Sequence, residues 1–243
     1  MIDNKFLKQG SLWKTKFELN GYERDSGDSL ATQVEIGRCF KVIDNNLYIS
    51  NINKSTSRIM VSLLEDGYEC WLEIQDLIGN LSPINYWVPM LLSREEIKMR
   101  IPLIIKWLKN ISCQKNKYYW GGTIGPNFDC SGLVQKAFSS HGVWLPRDAY
   151  QQENFCEIFQ FDFLKPDNLL NGDLIFFGSD DKCDHVAIHL GKGLYMHSSG
   201  ESNGSNGIGI NSLYETDSIS TYYRSRFRSV ARVVRCFGEA SFN

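Results

Sequence analysis

Two patterns of apolar spacing divide the chain. From residue 1 to about 80, short alternating runs such as Phe17-Glu18-Leu19, Arg38-Cys39-Phe40-Lys41-Val42-Ile43, Leu47-Tyr48-Ile49 and Arg58 to Leu64 are separated by Gly, Asn, Asp and Ser clusters. Period-two alternation cut at turn residues is the pattern of a small β-barrel. Within it, Glu65-Asp66-Gly67-Tyr68 forms a tight turn ahead of a Trp71-Leu72 strand. Pro83 to Pro89 reads as a linker, after which the spacing changes to that of helices. Ser93 and Glu96 make a capping box, and Ile97, Ile101, Ile104, Ile105, Leu108 and Ile111 continue one apolar face. Pro102 should kink this helix or mark where it starts. A second helix is predicted from Leu133, Val134, Ala137 and Phe138, with Gly142 as its stop. The expected organisation is a barrel over 1–82, a linker over 83–92 and an α+β domain over 93–243.

Further on, strand-like runs are cut by glycines: Gly172 to Phe177, His185 to Gly191 and Leu194 to Ser199. Gly191-Lys192-Gly193 suggests an antiparallel hairpin with an odd-numbered loop. If the hairpin centres on Lys192, Ala187 lies opposite His197, and His185 shares its face. The two imidazoles are then diagonal neighbours roughly 7–8 Å apart at the backbone. A two-residue turn would move His197 to the other face.

That pairing gains meaning from Phe128-Asp129-Cys130-Ser131-Gly132, which sets Cys130 at a predicted helix N-terminus. Unpaired N–H groups and the positive end of the helix dipole favour an anion there, so the thiol is expected to ionise more readily than a free cysteine. A thiolate, a histidine that shuttles its proton and a polar residue that orients the histidine form the minimal set for acyl transfer through a thioester. Of the four histidines, His141 ends the Cys130 helix and reads as structural. His189 shares the face of His185 nearer the turn, either as a packed strand residue or as the orienter in place of His197. A zinc site from Cys183, His185 and His189 lacks a fourth ligand.

Composition narrows the class further. A net charge of −2 gives no general attraction to nucleic acid or anionic lipid. Arg224, Arg226, Arg228, Arg232 and Arg235 cluster on a strand-like run and read as a solvated face. Seven cysteines without a C-x-x-C pair fit a reducing compartment. Residues 1–20 carry no apolar signal region, and no run is long enough to cross a bilayer. A cytoplasmic location, with no membrane partner, is expected.

Six motifs in order, Tyr118-Tyr119-Trp120-Gly121-Gly122, Asp129-Cys130-Ser131-Gly132-Leu133, Leu145-Pro146-Arg147-Asp148, Gly172 to Phe177, His185-Val186-Ala187-Ile188 and His197-Ser198-Ser199, resemble those of NlpC-type cell-wall cysteine peptidases. The resemblance covers roughly the C-terminal 130 residues and implies a papain-like domain needing no cofactor or metal. It is nearest to two-domain enzymes that cut the γ-D-glutamyl bond before a diamino acid, usually meso-diaminopimelate, in peptidoglycan stem peptides. Carried over by position, it implies Cys130 as nucleophile, His185 as general base, His197 as its orienter and Tyr118 as an oxyanion donor. Trp120, Asp129, Ser131, Arg147 and Asp148 match positions lining the substrate cleft, with helix capping as a second role for Asp129 and Ser131. Ala149 stands where a small polar residue is usual, which puts one substrate hydrogen bond in doubt. The first 80 residues are similar to the bacterial SH3-like domains that precede such peptidases and help hold a free L-alanine amine. Glu65, Asp66 and Tyr68 are candidates for that by location. In a cytoplasmic setting the implied role is recycling of released muropeptides. A non-catalytic wall-peptide binder and a thiol-dependent acyltransferase or amidase are the alternatives.

Overall fold

A computed structural model describes residues 7–44, 58–164 and 168–238, and the chain separates into two compact units, Met1–Pro89 and Met90–Asn243. The predicted Leu47-Tyr48-Ile49 run lies outside the described residues.

Among the described residues the N-terminal unit is all-β apart from one turn of helix. Its strands are β1 (Leu12–Thr15), β2 (Leu19–Tyr22), β3 (Leu30–Val34), β4 (Cys39–Asp44), β5 (Arg58–Leu63), β6 (Glu69–Glu73) and β7 (Leu81–Ile84), with α1 (Ile74–Leu77) after β6. They form an antiparallel sheet in the order β3-β2-β6-β5-β4-β1-β7. Alternate residues Phe40, Val42, Ile59, Val61, Leu63, Cys70 and Leu72 point inward to one core, the consequence of the period-two pattern. β7 takes in Pro83 and Ile84, the first residues of the expected linker, and Pro83 sits on the partner side of β1 at the sheet edge, where a missing donor is tolerated. In the β5–β6 turn, Glu65 and Asp66 are not solvated. Arg38 Nε lies 3.0 Å from Glu65, its Nη2 lies 2.8 Å from Asp66, and Glu65 also accepts the Cys39 N–H at 2.7 Å. Tyr68 packs partly buried against the same core.

The C-terminal unit opens with α2 (Arg94–Ser112), started by the Ser93–Glu96 capping box. It runs unbroken past Pro102, whose ring is on the exposed face, where water can satisfy the carbonyl left without a donor. α3 (Cys130–Ser139) and α4 (Ala149–Phe155) follow, then β8 (Glu157–Phe159), β9 (Leu174–Gly178), β10 (Cys183–Gly191), β11 (Leu194–Ser199), β12 (Gly207–Ser212), α5 (Ser218–Ser225) and β13 (Phe227–Arg232). The antiparallel sheet has the order β12-β11-β10-β9-β13-β8. α3 packs on one face against Phe176, Val186, Ile188 and Met196, while α5 supplies Tyr223 to the core of the other face with Phe177, Ala187, Tyr195 and Val230. This is the helix-on-sheet α+β architecture expected. Being covered on both sides, β9 is buried throughout, which is why it reads as an unbroken apolar run.

The C-terminal arginines act as cross-braces. Arg226 pairs with Asp184, Arg228 with Glu153 and Arg232 with Asp173, while Arg224 and Arg235 donate to backbone carbonyls. Long guanidinium side chains here tie separate segments to β13 and the end of α5.

Candidate active site

The hairpin holds the two histidines together by an unexpected route. Ile188 pairs with Met196 and His189 with Tyr195, a register that continues to Ala187 opposite His197. The turn itself nevertheless has two residues, Lys192 and Gly193, both at positive φ (53° and 76°), as a type I′ turn requires. A register shift between His189 and Gly191 inserts one extra residue and restores the parity that a two-residue turn would have broken. His185 Nε2 consequently lies 2.7 Å from His197 Nδ1, and His197 Nε2 lies 2.9 Å from Asn211 Oδ1 on β12. His189 is engaged elsewhere. Its Nδ1 is 2.9 Å from the Leu170 carbonyl and its Nε2 accepts the Gly193 N–H at 3.1 Å, so it pins the turn.

Cys130 is the first residue of α3, and Asp129 caps the helix by accepting the Gly132 N–H at 2.6 Å. Gly132 is needed in the motif because a Cβ there would lie 2.0 Å from the Gly122 carbonyl oxygen. The sulfur rests against the backbone bracketing His185, 3.9 Å from the Asp184 carbonyl and in hydrogen-bond contact with the Val186 and Ser131 N–H groups. Ser198, beside His197, donates to the Phe128 carbonyl at 2.6 Å and so fastens the loop before Cys130 to the strand bearing His197. Tyr118 bridges to Phe128 in the same loop.

Burial and the Asp129 charge push the Cys130 thiol up to about 12, against the N–H groups that favour the thiolate. Helix position alone therefore does not ionise it, contrary to the expectation from sequence; desolvation at 7 % exposure is the reason. Burial and the neighbouring His197 hold His185 well below the usual imidazole range, and burial holds His197 at about 4. The resting site holds a neutral thiol and neutral imidazoles. Burial, followed by the proximity of Cys130, raises both the Tyr118 and Tyr223 phenols, which stay O–H donors at neutral pH.

Tyr223 and Asn211 are the members that sequence reading missed. Tyr223 stacks on His185 with ring centroids 4.5 Å apart and meets His197 edge-on at 4.7 Å. Asp217, whose side chain accepts the Ile219 and Ser220 N–H groups, was the available signal for its helix. Of the residues expected to line the cleft, Trp120 is 63 % exposed and free of the core. Arg147, at 2 % exposure, turns inward and grips both oxygens of Asp129 and the Ser131 hydroxyl. Asp148 caps α4 in a capping box with Gln151.

The histidine environment predicts an acid-sensitive fold. An unfolded histidine titrates near 6.5, whereas folded His197 stays neutral down to about 4 and His185 is also depressed. Between those limits the unfolded chain binds protons that the folded chain excludes, so stability falls as pH drops from about 6.5 to 4. The slope is on the order of 1 kcal/mol per pH unit for each histidine. Denaturant unfolding across that range should show this decline, and His197→Gln should make it shallower; an unchanged slope contradicts the assignment.

Residues 115–230 match the NlpC/P60 family. The C-terminal unit is an NlpC/P60 domain. A γ-D-glutamyl-L-lysine dipeptidyl-peptidase of Bacillus cereus is 39 % identical over 85 residues, covering 33 % of this chain and 24 % of that protein. The murein DD-endopeptidase MepS/murein LD-carboxypeptidase of Escherichia coli is 31 % identical over 119 residues, covering 49 % and 56 %. Thus the chain spans about a quarter to about half the length of these curated relatives. An NlpC/P60 family crystal structure from Bacillus cereus superposes with a TM-score of 0.42 at 21 % identity, over 93 % of this chain and 64 % of that one. Outside the NlpC/P60 domain, no helix among the described residues is long and apolar enough to cross a membrane; the same holds within it.

Proposed function

We propose that this chain is a cysteine peptidase that hydrolyses the γ-D-glutamyl to diamino acid bond of peptidoglycan stem peptides, with meso-diaminopimelate as the diamino acid. The observation that carries the reading is a sulfur set against the backbone on both sides of His185, whose Nε2 is engaged by His197; the reading assigns the base to the other ring nitrogen, Nδ1. His185 Nδ1 takes the thiol proton as sulfur bonds to the γ-carbonyl carbon. The carbonyl π electrons move to oxygen, where the Tyr118 hydroxyl and the Cys130 backbone N–H donate to the oxyanion. Collapse breaks the C–N bond, the leaving amine takes the proton from His185, and a thioester remains. Water, losing a proton to His185, then releases the D-glutamyl carboxylate and restores the thiol.

The relatives named for γ-D-glutamyl-L-lysine and murein cleavage support this substrate class. Seven free thiols support reducing surroundings, hence a cytoplasmic role in recycling released muropeptides. Glu65, Asp66 and Tyr68, in an SH3-like N-terminal unit, are the candidates for holding the free L-alanine amine, the two acids being paired with Arg38 in the free protein. The test is a peptide panel followed by mass spectrometry. L-Ala-γ-D-Glu-meso-diaminopimelate is expected to yield L-Ala-D-Glu and diaminopimelate, and N-acetylation to abolish cleavage. Equal cutting of blocked peptides and long wall fragments overturns the recycling reading, and transfer of an acyl group overturns hydrolysis.

A further inference from the structure

We propose that Asn211 is a positioning residue that sets the direction of the hydrogen bonds through both histidines, so that His185 presents Nδ1, and not an N–H, to the Cys130 thiol. The inference rests on the peptidase reading for its catalytic consequence, but the proton arrangement itself follows from geometry. Asn211 Oδ1 can only accept, so the 2.9 Å contact requires the proton on His197 Nε2. A neutral His197 then has its lone pair on Nδ1 and must accept across the 2.7 Å contact from His185 Nε2–H. His185, neutral in turn, is left with its lone pair on Nδ1. One amide oxygen therefore determines the tautomer of two rings and the identity of the basic nitrogen.

The surroundings offer no competing control. From α3, Cys130 approaches as a neutral thiol; from β11, Tyr195 meets His197 edge-on at 5.3 Å. α5 contributes Tyr223, a protonated phenol, and the residue closing it, Arg226, pairs with Asp184 of β10 at 2.7 Å and adds a positive field that also keeps His185 uncharged. No carboxylate contacts either ring directly among the described residues, which distinguishes this relay from one closed by an acid. An amide at its far end keeps His197 uncharged and accepting. A carboxylate would favour the imidazolium, whose Nδ1–H would donate to His185 Nε2 and move the His185 proton to Nδ1, where it blocks attack.

Two variants and one spectroscopic measurement test the proposal. In the wild-type protein, long-range ¹H–¹⁵N correlation spectra at pH 7 should show both His185 and His197 protonated on Nε2. Asn211→Leu should lower kcat about tenfold to a hundredfold with KM within twofold. Asn211→Asp should be poorly active at neutral pH and recover as pH rises, with the acid limb of kcat/KM shifted upward by a pH unit or more and His197 doubly protonated at pH 7. An Nδ1–H tautomer for His197 in the wild type overturns the proposal, as does a wild-type pH profile in Asn211→Asp. The tautomers are read without substrate, so an inactive wild-type protein with both rings protonated on Nε2 would reject the peptidase reading and leave this arrangement standing.

Discussion

Cys130→Ala is expected to lower turnover of L-Ala-γ-D-Glu-meso-diaminopimelate by about 10⁴-fold or more, with the fold retained. On the proposed mechanism, removing the nucleophile leaves only oriented donors and a bound substrate, and members of a nucleophile–base pair act as a unit. His185→Gln should therefore cost nearly as much as losing the sulfur, and the double variant little more than either single one. The reason lies in the resting state. With burial pushing the thiol up to about 12, sulfur carries no standing charge at neutral pH, so on the proposed mechanism it becomes nucleophilic only through His185. Thermal unfolding should be little altered in Cys130→Ala, because the side chain fills a small part of the core shared with Leu133 and Val186. Single-turnover assays with purified protein give the rate; residual turnover within tenfold of wild type would remove Cys130 from the chemistry.

What the chain discloses about itself follows from how local each feature is. Capping at Ser93 and Asp129 is written in adjacent residues, and both helices begin where those residues stand. The histidine pair was legible for a weaker reason: glycines at 191 and 193 marked a hairpin, but parity is preserved by the inserted residue at the register shift, a feature no periodicity displays. Asn211 lies on a glycine-rich strand of six residues whose pairing with β11 is entirely non-local, so nothing beside it in sequence points to His197. Tyr223 acquires its role only when α5 folds back over the sheet. Alternation in the N-terminal unit exposed the strands without their order, since β2 lies between β3 and β6 and β1 between β4 and β7. Likewise the arginine series read as a solvated face because its carboxylate partners, Glu153, Asp173 and Asp184, sit 40 to 80 residues away.

Arg147 illustrates how such a distant partner changes the expected consequence of a mutation. Its guanidinium is almost fully buried and donates to Asp129 through two nitrogens, while Asp129 also accepts from Gly121, Gly132 and Ser131. The pair therefore joins the start of α3, the Tyr119–Gly122 turn and the segment before α4 at one point. Arg147→Met removes the counter-charge but leaves the carboxylate buried among N–H donors, and the cost of an uncompensated buried charge is about 3–5 kcal/mol. Unfolding in urea should show a loss of that size with an unchanged slope. Asp129→Asn combined with Arg147→Met should lose less than the sum of the single changes, because the second substitution removes the charge that the first left unpaired. Below its melting temperature Arg147→Met should also show a reduced kcat, since Asp129 fixes the helix N-terminus that presents Cys130. A midpoint within experimental error of wild type would mean that the ion pair is replaced at no cost by the remaining donors around Asp129, and that the loop before Cys130 is held by Ser198 and the backbone alone.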